Sequence, residues 1–229
     1  MRGANEHMYI IMLGTPGSGK GTVGEIISKA LDLAHISTGD IFREYINNGS
    51  ELGKEIQDYM LNGLLVPDEL TIKMIYDRLQ QEDVKNGALL DGYPRTKIQA
   101  QKLDEFLKSK QKKIDYALYL NVEEKIILDR ILKRRICSNN KCRAIYNLDY
   151  KKPKVENICD KCGSSLIQRK DDNEEIFKQR LEVFKKTAPA IIDYYRETGV
   201  LHTKNITKAN HKTSKEVAEE FIIEVRSKM

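Results

Sequence analysis

Met8 to Leu13 (MYIIML) is a continuous apolar run, the pattern of a strand covered on both faces in a parallel sheet. From Lys20 to about Leu31 the period lengthens, with Val23, Ile26, Ile27, Ala30 and Leu31 recurring at helical spacing. A glycine-rich segment therefore joins a buried strand to a helix. Ser37-Thr38-Gly39-Asp40 reads as a helix start, with Ser37 as N-cap and Asp40 three residues on. Helices are predicted over about 38–47, 52–62 and 68–82. The last is introduced by Pro67 and carries Asp68 and Glu69 in its first turn, where the helix dipole favours acidic groups. Gly87 to Asp91 (GALLD) is a second buried strand running into a Gly-Tyr-Pro-Arg turn, and a helix follows from about Lys97 to Ser109. Tyr116 to Val122 (YALYLNV) is a third strand. Helical periodicity returns over Glu123 to Ile136, then over Asn173 to Lys186 and Pro189 to Glu197. Val200 to Thr203 is a last short strand, and Ser214 to Arg226 an amphipathic helix. Strands alternating with helices predict an α/β fold, a parallel sheet with helices on its faces.

The alternation stops between Ile136 and Arg169. Asn, Lys, Pro and Gly punctuate short segments such as Ala144 to Leu148 and Ser165 to Ile167, and all four cysteines of the chain lie here. Cys137 and Cys142 form C-x4-C, and Cys159 and Cys162 form C-x2-C, a spacing that brings four soft sulfur ligands within reach of one tetrahedral metal. A segment of about 35 residues with so little apolar content has no core of its own, so a metal would supply the missing stabilisation of an inserted mini-domain.

Composition narrows the partners. At 229 residues the chain has room for one substantial core plus a small appended unit. Its 39 basic and 34 acidic residues leave a net charge of only +5, interleaved rather than gathered, which argues against a dedicated nucleic-acid binder and for an enzyme of anionic small molecules. No run approaches the roughly 20 apolar residues of a membrane span. The polar stretch Met1 to His7 lacks the apolar centre of a signal peptide, so the cytoplasm is the expected location. Disulfides rarely persist there, which favours metal over two cystines.

The segment Gly14-Thr15-Pro16-Gly17-Ser18-Gly19-Lys20-Gly21-Thr22 carries the chemistry. Glycines reach backbone angles closed to other residues and let successive N–H groups point at phosphate oxygens. Lys20 adds a mobile charge, and the following helix N-terminus adds its dipole. Gly21 stands where most such loops carry the hydroxyl residue that ligates magnesium, with Thr22 one place later, which points away from GTPases and motor ATPases.

This Gly-Lys-Gly-Thr variant, together with Ser37-Thr38-Gly39-Asp40, Asp91-Gly92-Tyr93-Pro94-Arg95, Gln99 and Arg169-Lys170-Asp171-Asp172, resembles the adenylate kinase family in its long-lid form, from about Met8 to Glu197. The resemblance implies a P-loop fold with a central five-stranded parallel sheet flanked by helices. Its core would be 1–36, 67–132 and 173–229, with a helical AMP-binding insertion at 37–66 and a zinc-binding lid at 133–172. Some members of the family hold that lid with zinc on four cysteines, although the C-x4-C half departs from their commoner C-x2-C. The implied reaction is MgATP plus AMP giving two ADP, with magnesium carried by ATP, structural zinc, nucleotides as partners, and a monomer.

By family position, Gly17, Ser18, Gly19, Lys20, Gly21 and Thr22 would hold the donor phosphates, while Arg130, Ile145 and Tyr146 would flank its base. Arg134, Arg169 and Arg180 would converge on the transferring group, and Arg43 and Arg95 would clamp the acceptor phosphate. Thr38, Leu64, Leu65, Val66, Gly92, Tyr93, Pro94 and Gln99 would surround AMP. Asp91 would hold magnesium through water, and Asp171 and Asp172 would belong to the lid and its hinge. Three points stay open on the residues alone: Arg135 beside Arg134 permits a shift of one, Ile145 and Tyr146 suit a lid core equally, and Thr207 to Lys212 does not align with the family's purine-reading loop. His7, His35, His202 and His211 are scattered and read as non-catalytic. The alternatives are a GTP:AMP phosphotransferase or other nucleoside monophosphate kinase, and a nucleic-acid-binding zinc-ribbon ATPase with Lys151, Lys152, Lys154, Lys161, Tyr146 and Tyr150 on its ribbon. A metal-storage protein would leave the phosphate loop unexplained.

Overall fold

A computed structural model describes residues 7–207 and 212–228. The elements run β1 (Met8–Gly14), α1 (Lys20–Leu31), β2 (Ala34–Ser37), α2 (Thr38–Asn47), α3 (Glu51–Leu61), α4 (Asp68–Leu79), β3 (Gly87–Asp91), α5 (Lys97–Ser109), β4 (Tyr116–Val122) and α6 (Glu124–Leu132). They continue with β5 (Arg134–Cys137), β6 (Ile145–Asn147), β7 (Leu166–Ile167), α7 (Glu174–Glu197), β8 (Leu201–Ile206) and α8 (Ser214–Arg226). Five strands form one sheet in the order β2-β3-β1-β4-β8, every pair parallel.

Period-2 alternation along β1 divides the core. Met8, Ile10 and Met12 face the side built from α1, α6 and α8, with Ile27, Ile127 and Phe221 among their fully buried neighbours. Tyr9, Ile11 and Leu13 face the other side, with Ile75 of α4, Leu103 of α5 and Tyr195 of α7. A strand covered on both faces has no polar side, which is why β1 reads as an unbroken apolar run. Ser37 caps α2 by accepting from the Asp40 backbone N–H at 3.3 Å, as its sequence context predicts.

Three predictions of local structure are corrected. The helix expected over Glu123 to Ile136 stops at Leu132, and Arg134–Cys137 is a strand that leads into the cysteine segment. The two helices expected on either side of Pro189 are one, because Ala188, Ile191 and Tyr195 are buried along a single face and Pro189 sits on the exposed side. The helix expected to reach residue 82 ends at Leu79 and is followed by a short 3-10 turn, Glu82–Val84.

The cysteine segment folds as a three-stranded antiparallel sheet in the order β6-β5-β7. Its buried apolar side chains are Cys137, Ala144, Tyr146, Cys159 and Leu166. So little apolar surface leaves the segment dependent on other contacts, and a metal on its four cysteines would supply stabilisation that a core does not.

Candidate active site

One pocket of about 970 Å³ lies at the carboxyl end of the parallel strands, bounded by the glycine loop, α2, the Leu64 to Val66 stretch and the cysteine segment. This is where ligands bind in open α/β sheets. Gly17 at φ 85° and Gly19 at φ 96° give the loop its path, and a Cβ on Gly17 would meet Ile127 and Ile131 at 2.7 Å. Lys20 Nζ donates to the carbonyls of Gly14 at 2.7 Å and Thr15 at 2.9 Å. Its pKa is lowered to about 8, chiefly by desolvation, with Asp91 pulling the other way. A phosphate wants the charged form. Measured by calorimetry, ATP affinity is therefore expected to be independent of this group below about pH 8 and to weaken above it, and Lys20→Met should lose that dependence.

Arginines ring the same space. Arg134 Nε donates to Asp172 Oδ2 at 2.8 Å, and its Nη2 pairs with the other carboxylate oxygen. Arg180 pairs with Asp171 at 2.6 Å and also reaches the carbonyl of Met60 at 3.3 Å. Arg43 pairs with Asp40 at 2.6 Å. Arg95 Nε donates to the Gly92 carbonyl at 2.8 Å, while its backbone N–H is held by Gln99 Oε1 at 2.7 Å. Arg169 differs from the others: its Nε is buried without a hydrogen-bond partner. Desolvation, then the repulsion of Arg134 and Arg43, lowers the Arg169 pKa to about 9. Since a guanidinium does not give up its proton under working conditions, that strain is an unmet demand for anionic oxygens.

Of the residues that the resemblance assigns to nucleotides and the lid hinge, the pocket is lined by Gly17, Gly19, Lys20, Gly21, Thr22, Arg43, Leu64, Leu65, Val66, Asp91, Gly92, Pro94, Arg95, Arg130, Arg134, Ile145, Tyr146, Arg169, Asp171 and Arg180. Five stand behind the wall: Ser18, Thr38, Tyr93, Gln99 and Asp172 are buried and do not line it. Thr38 Oγ1 donates to the Gly92 carbonyl at 2.9 Å, and Gln99 Nε2 donates to Asp68 at 2.8 Å. They hold the turn that presents Arg95. Of the adjacent pair, Arg134 faces the pocket, while Arg135 Nη1 turns back to the Arg134 carbonyl at 2.8 Å. Asp40, Arg143, Tyr150 and Thr213 also line it. Periodicity marked Asp40 only as part of a helix start, and nothing in the sequence placed the other three here. Residues 208–211 of the unaligned loop lie outside the described residues.

The four cysteines meet. Their sulfurs all lie within 4.8 Å of one another, with Cys137–Cys162 at 3.4 Å and Cys142–Cys159 at 3.7 Å. Sulfurs on a tetrahedral zinc stand about 3.8 Å apart, so this donor set fits that ion, and fits it with no open position. Tyr146 is built into the cluster: its hydroxyl contacts Cys159 Sγ at 3.5 Å and accepts the Asp160 N–H at 2.7 Å. That contact is first among the causes that pull the Cys159 thiol below its ordinary pKa, toward the thiolate a metal requires. Tyr146 thus serves the core of the cysteine segment and the pocket wall together. Magnesium has a fitting neighbourhood too. Asp91 lines the pocket beside the glycine loop, its carboxylate 3.4 Å from where a Gly21 side chain would begin, and magnesium with nucleotide phosphates needs few protein oxygens. Among the described residues, no helix is long and apolar enough to cross a membrane.

A glycine loop at the head of a parallel sheet, feeding a pocket whose cations include Lys20, Arg43, Arg95, Arg134, Arg169 and Arg180 and whose wall holds the strand-end carboxylate of Asp91, defines a P-loop phosphotransferase. Residues 12–200 match the protein family described as Adenylate kinase, and the chain belongs to that family. It is 48% identical over 211 residues to an adenylate kinase of Clostridium tetani, covering 92% of this chain and 97% of that one. An adenylate kinase of Caldicellulosiruptor bescii is 48% identical over 217 residues, covering 95% and 100%. One of Clostridium acetobutylicum is 49% identical over 201 residues, covering 88% and 93%.

Proposed function

We propose that the protein catalyses reversible transfer of the γ-phosphoryl group of MgATP to AMP. The β–γ phosphoanhydride bond breaks, a bond forms to an α-phosphate oxygen of AMP, and two ADP result. The observation that carries this reading is the convergence of Lys20, Arg43, Arg95, Arg134, Arg169 and Arg180 on one pocket, with the Arg169 Nε buried and unpartnered. A loose, highly charged transition state asks for alignment and neutralisation rather than a covalent nucleophile. Direct transfer between the two nucleotides needs no serine, cysteine or histidine nucleophile.

Backbone N–H groups of Gly17 to Thr22 cradle the donor phosphates, and Lys20 leaves the Gly14 and Thr15 carbonyls for the β and γ oxygens. Arg134, Arg169 and Arg180 neutralise the transferring group, the first and last already oriented by Asp172 and Asp171. Arg43 and Arg95 clamp the acceptor phosphate, since guanidinium forks suit that geometry. Arg130 flanks the donor base with Ile145 and Tyr146, and Leu64 to Val66 line the acceptor end. Thr38, Tyr93, Pro94 and Gln99 act through the Gly92–Arg95 turn. Asp91 would hold magnesium through water, and that ion would supply positive charge that offsets the charge of the nucleotide phosphates. Zinc on Cys137, Cys142, Cys159 and Cys162 would keep the lid rigid so that it excludes water as a unit.

The working division is a core of 1–36, 67–132 and 173–229, an acceptor insertion of 37–66 that holds α2 and α3, and a lid of 133–172 that holds β5, β6 and β7. We place the protein in the cytoplasm as a monomer, without nucleic-acid partners. Coupled measurement of ADP tests the reading, with AMP expected to stimulate ATP consumption and CMP, UMP or GTP to substitute poorly.

A further inference from the structure

The C-x4-C half of the lid ends in a tight turn. Cys142 and Arg143 both donate their backbone N–H to the Asn139 carbonyl at 3.0 Å, and Arg143 is left at φ 48°, in the left-handed region that glycine favours. A long, charged side chain is a costly choice there, and residues held in such conformations gather where geometry serves function. The Arg143 side chain crosses the pocket from the lid to the acceptor insertion. Its Nη1 lies 3.8 Å from Asp40 Oδ1, the same oxygen that Arg43 Nη2 grips at 2.6 Å. Arg43, Asp40 and Arg143 thus form a short chain of charges that joins α2 to the lid. Besides those two arginines, Arg169 is the other cation acting on Asp40.

We propose that Arg143 is a positioning residue: by drawing on Asp40 when the lid closes over the donor, it sets the Arg43 fork that receives the acceptor phosphate. Donor binding would thereby raise AMP affinity. The inference rests on the phosphotransferase reading above, with Arg43 as acceptor clamp. At 3.8 Å the link is an ion pair rather than a hydrogen bond, and both partners are partly exposed, so its effect is modest.

Arg143→Gly is an unusually clean test, because glycine suits φ 48° and the lid backbone is relieved rather than damaged. AMP affinity is measured by calorimetry with and without a non-hydrolysable ATP analogue. For Arg143→Gly, the expected result is unchanged AMP affinity in the protein alone, an about two- to five-fold loss in the analogue-bound protein, and an unchanged or raised Tm. Arg143→Lys should restore most of the coupling. Equal loss of AMP affinity in both states would make Arg143 a plain AMP contact and overturn the proposal, and so would no loss in either. If the unsubstituted protein shows no AMP-stimulated ATP turnover, the functional reading itself fails, whatever the variants do.

Discussion

Lys20→Met should lower kcat by about 10²- to 10⁴-fold, roughly 3–5 kcal/mol of transition-state stabilisation, while leaving Tm unchanged or slightly raised. The asymmetry follows from where the ammonium sits. Desolvation in the pocket lowers its pKa to about 8, so the fold gains little from the charge, and its present partners are two loop carbonyls. A thioether of similar length removes that desolvation cost and packs in the same channel. Charge developing on the transferring oxygens, by contrast, would lose the cation that the proposed reaction places on the β and γ phosphates. Steady-state kinetics and differential scanning calorimetry on the same preparation check this. A fall in Tm that tracks the fall in kcat would make Lys20 a structural residue.

Stripping the metal should have the second large effect, and it should fall on the lid first. A chelator, or Cys159→Ser, would remove the main stabilisation of a segment whose buried apolar side chains are five, two of them cysteines. Hydrogen exchange is the direct readout: amides of residues 134–168 should lose protection, while those of β1, β3 and β4 keep theirs, since local units open independently. kcat should fall by about a hundredfold or more, because Arg134 and Arg169 bracket the four cysteines and lose their fixed positions. X-ray absorption of the intact protein should show four sulfur donors and no bound water. A stripped protein with undiminished lid protection and full thermal stability would contradict a structural role for zinc.

What the residues alone revealed follows the strength of each local signal. β1, β3 and β4 are apolar runs long enough to read directly, and α5 and α8 carry both a cap and a clear period. β2 escaped notice as a strand because Ala34–Ser37 is four residues with one fully buried position, and its place in the sheet is fixed by the partner β3 rather than by its own composition. Arg134–Cys137 continued the helical spacing of α6, and only the antiparallel partners β6 and β7 make it a strand. Pro189 marked a break that long-range burial overrides.

The site divides in the same way. The glycine loop and the cysteines declare themselves by spacing, since their chemistry depends on local geometry. Which arginine of 134 and 135 enters the pocket depends on strand alternation, which no helical reading could supply. Gln99 is assigned to AMP by the resemblance alone, and its contacts with the Arg95 N–H and Asp68 become visible only in the fold. Arg143 gave no signal, because its position opposite Asp40 exists only once lid and insertion meet across the pocket.

The most direct measurement is ADP formation from MgATP in a coupled assay with and without AMP, with two ADP counted per ATP consumed. The account predicts that AMP raises ATP consumption by orders of magnitude, at a stoichiometry of two ADP per AMP consumed, with no net release of inorganic phosphate. ATP consumption that is indifferent to AMP, or that releases phosphate to water, would contradict it.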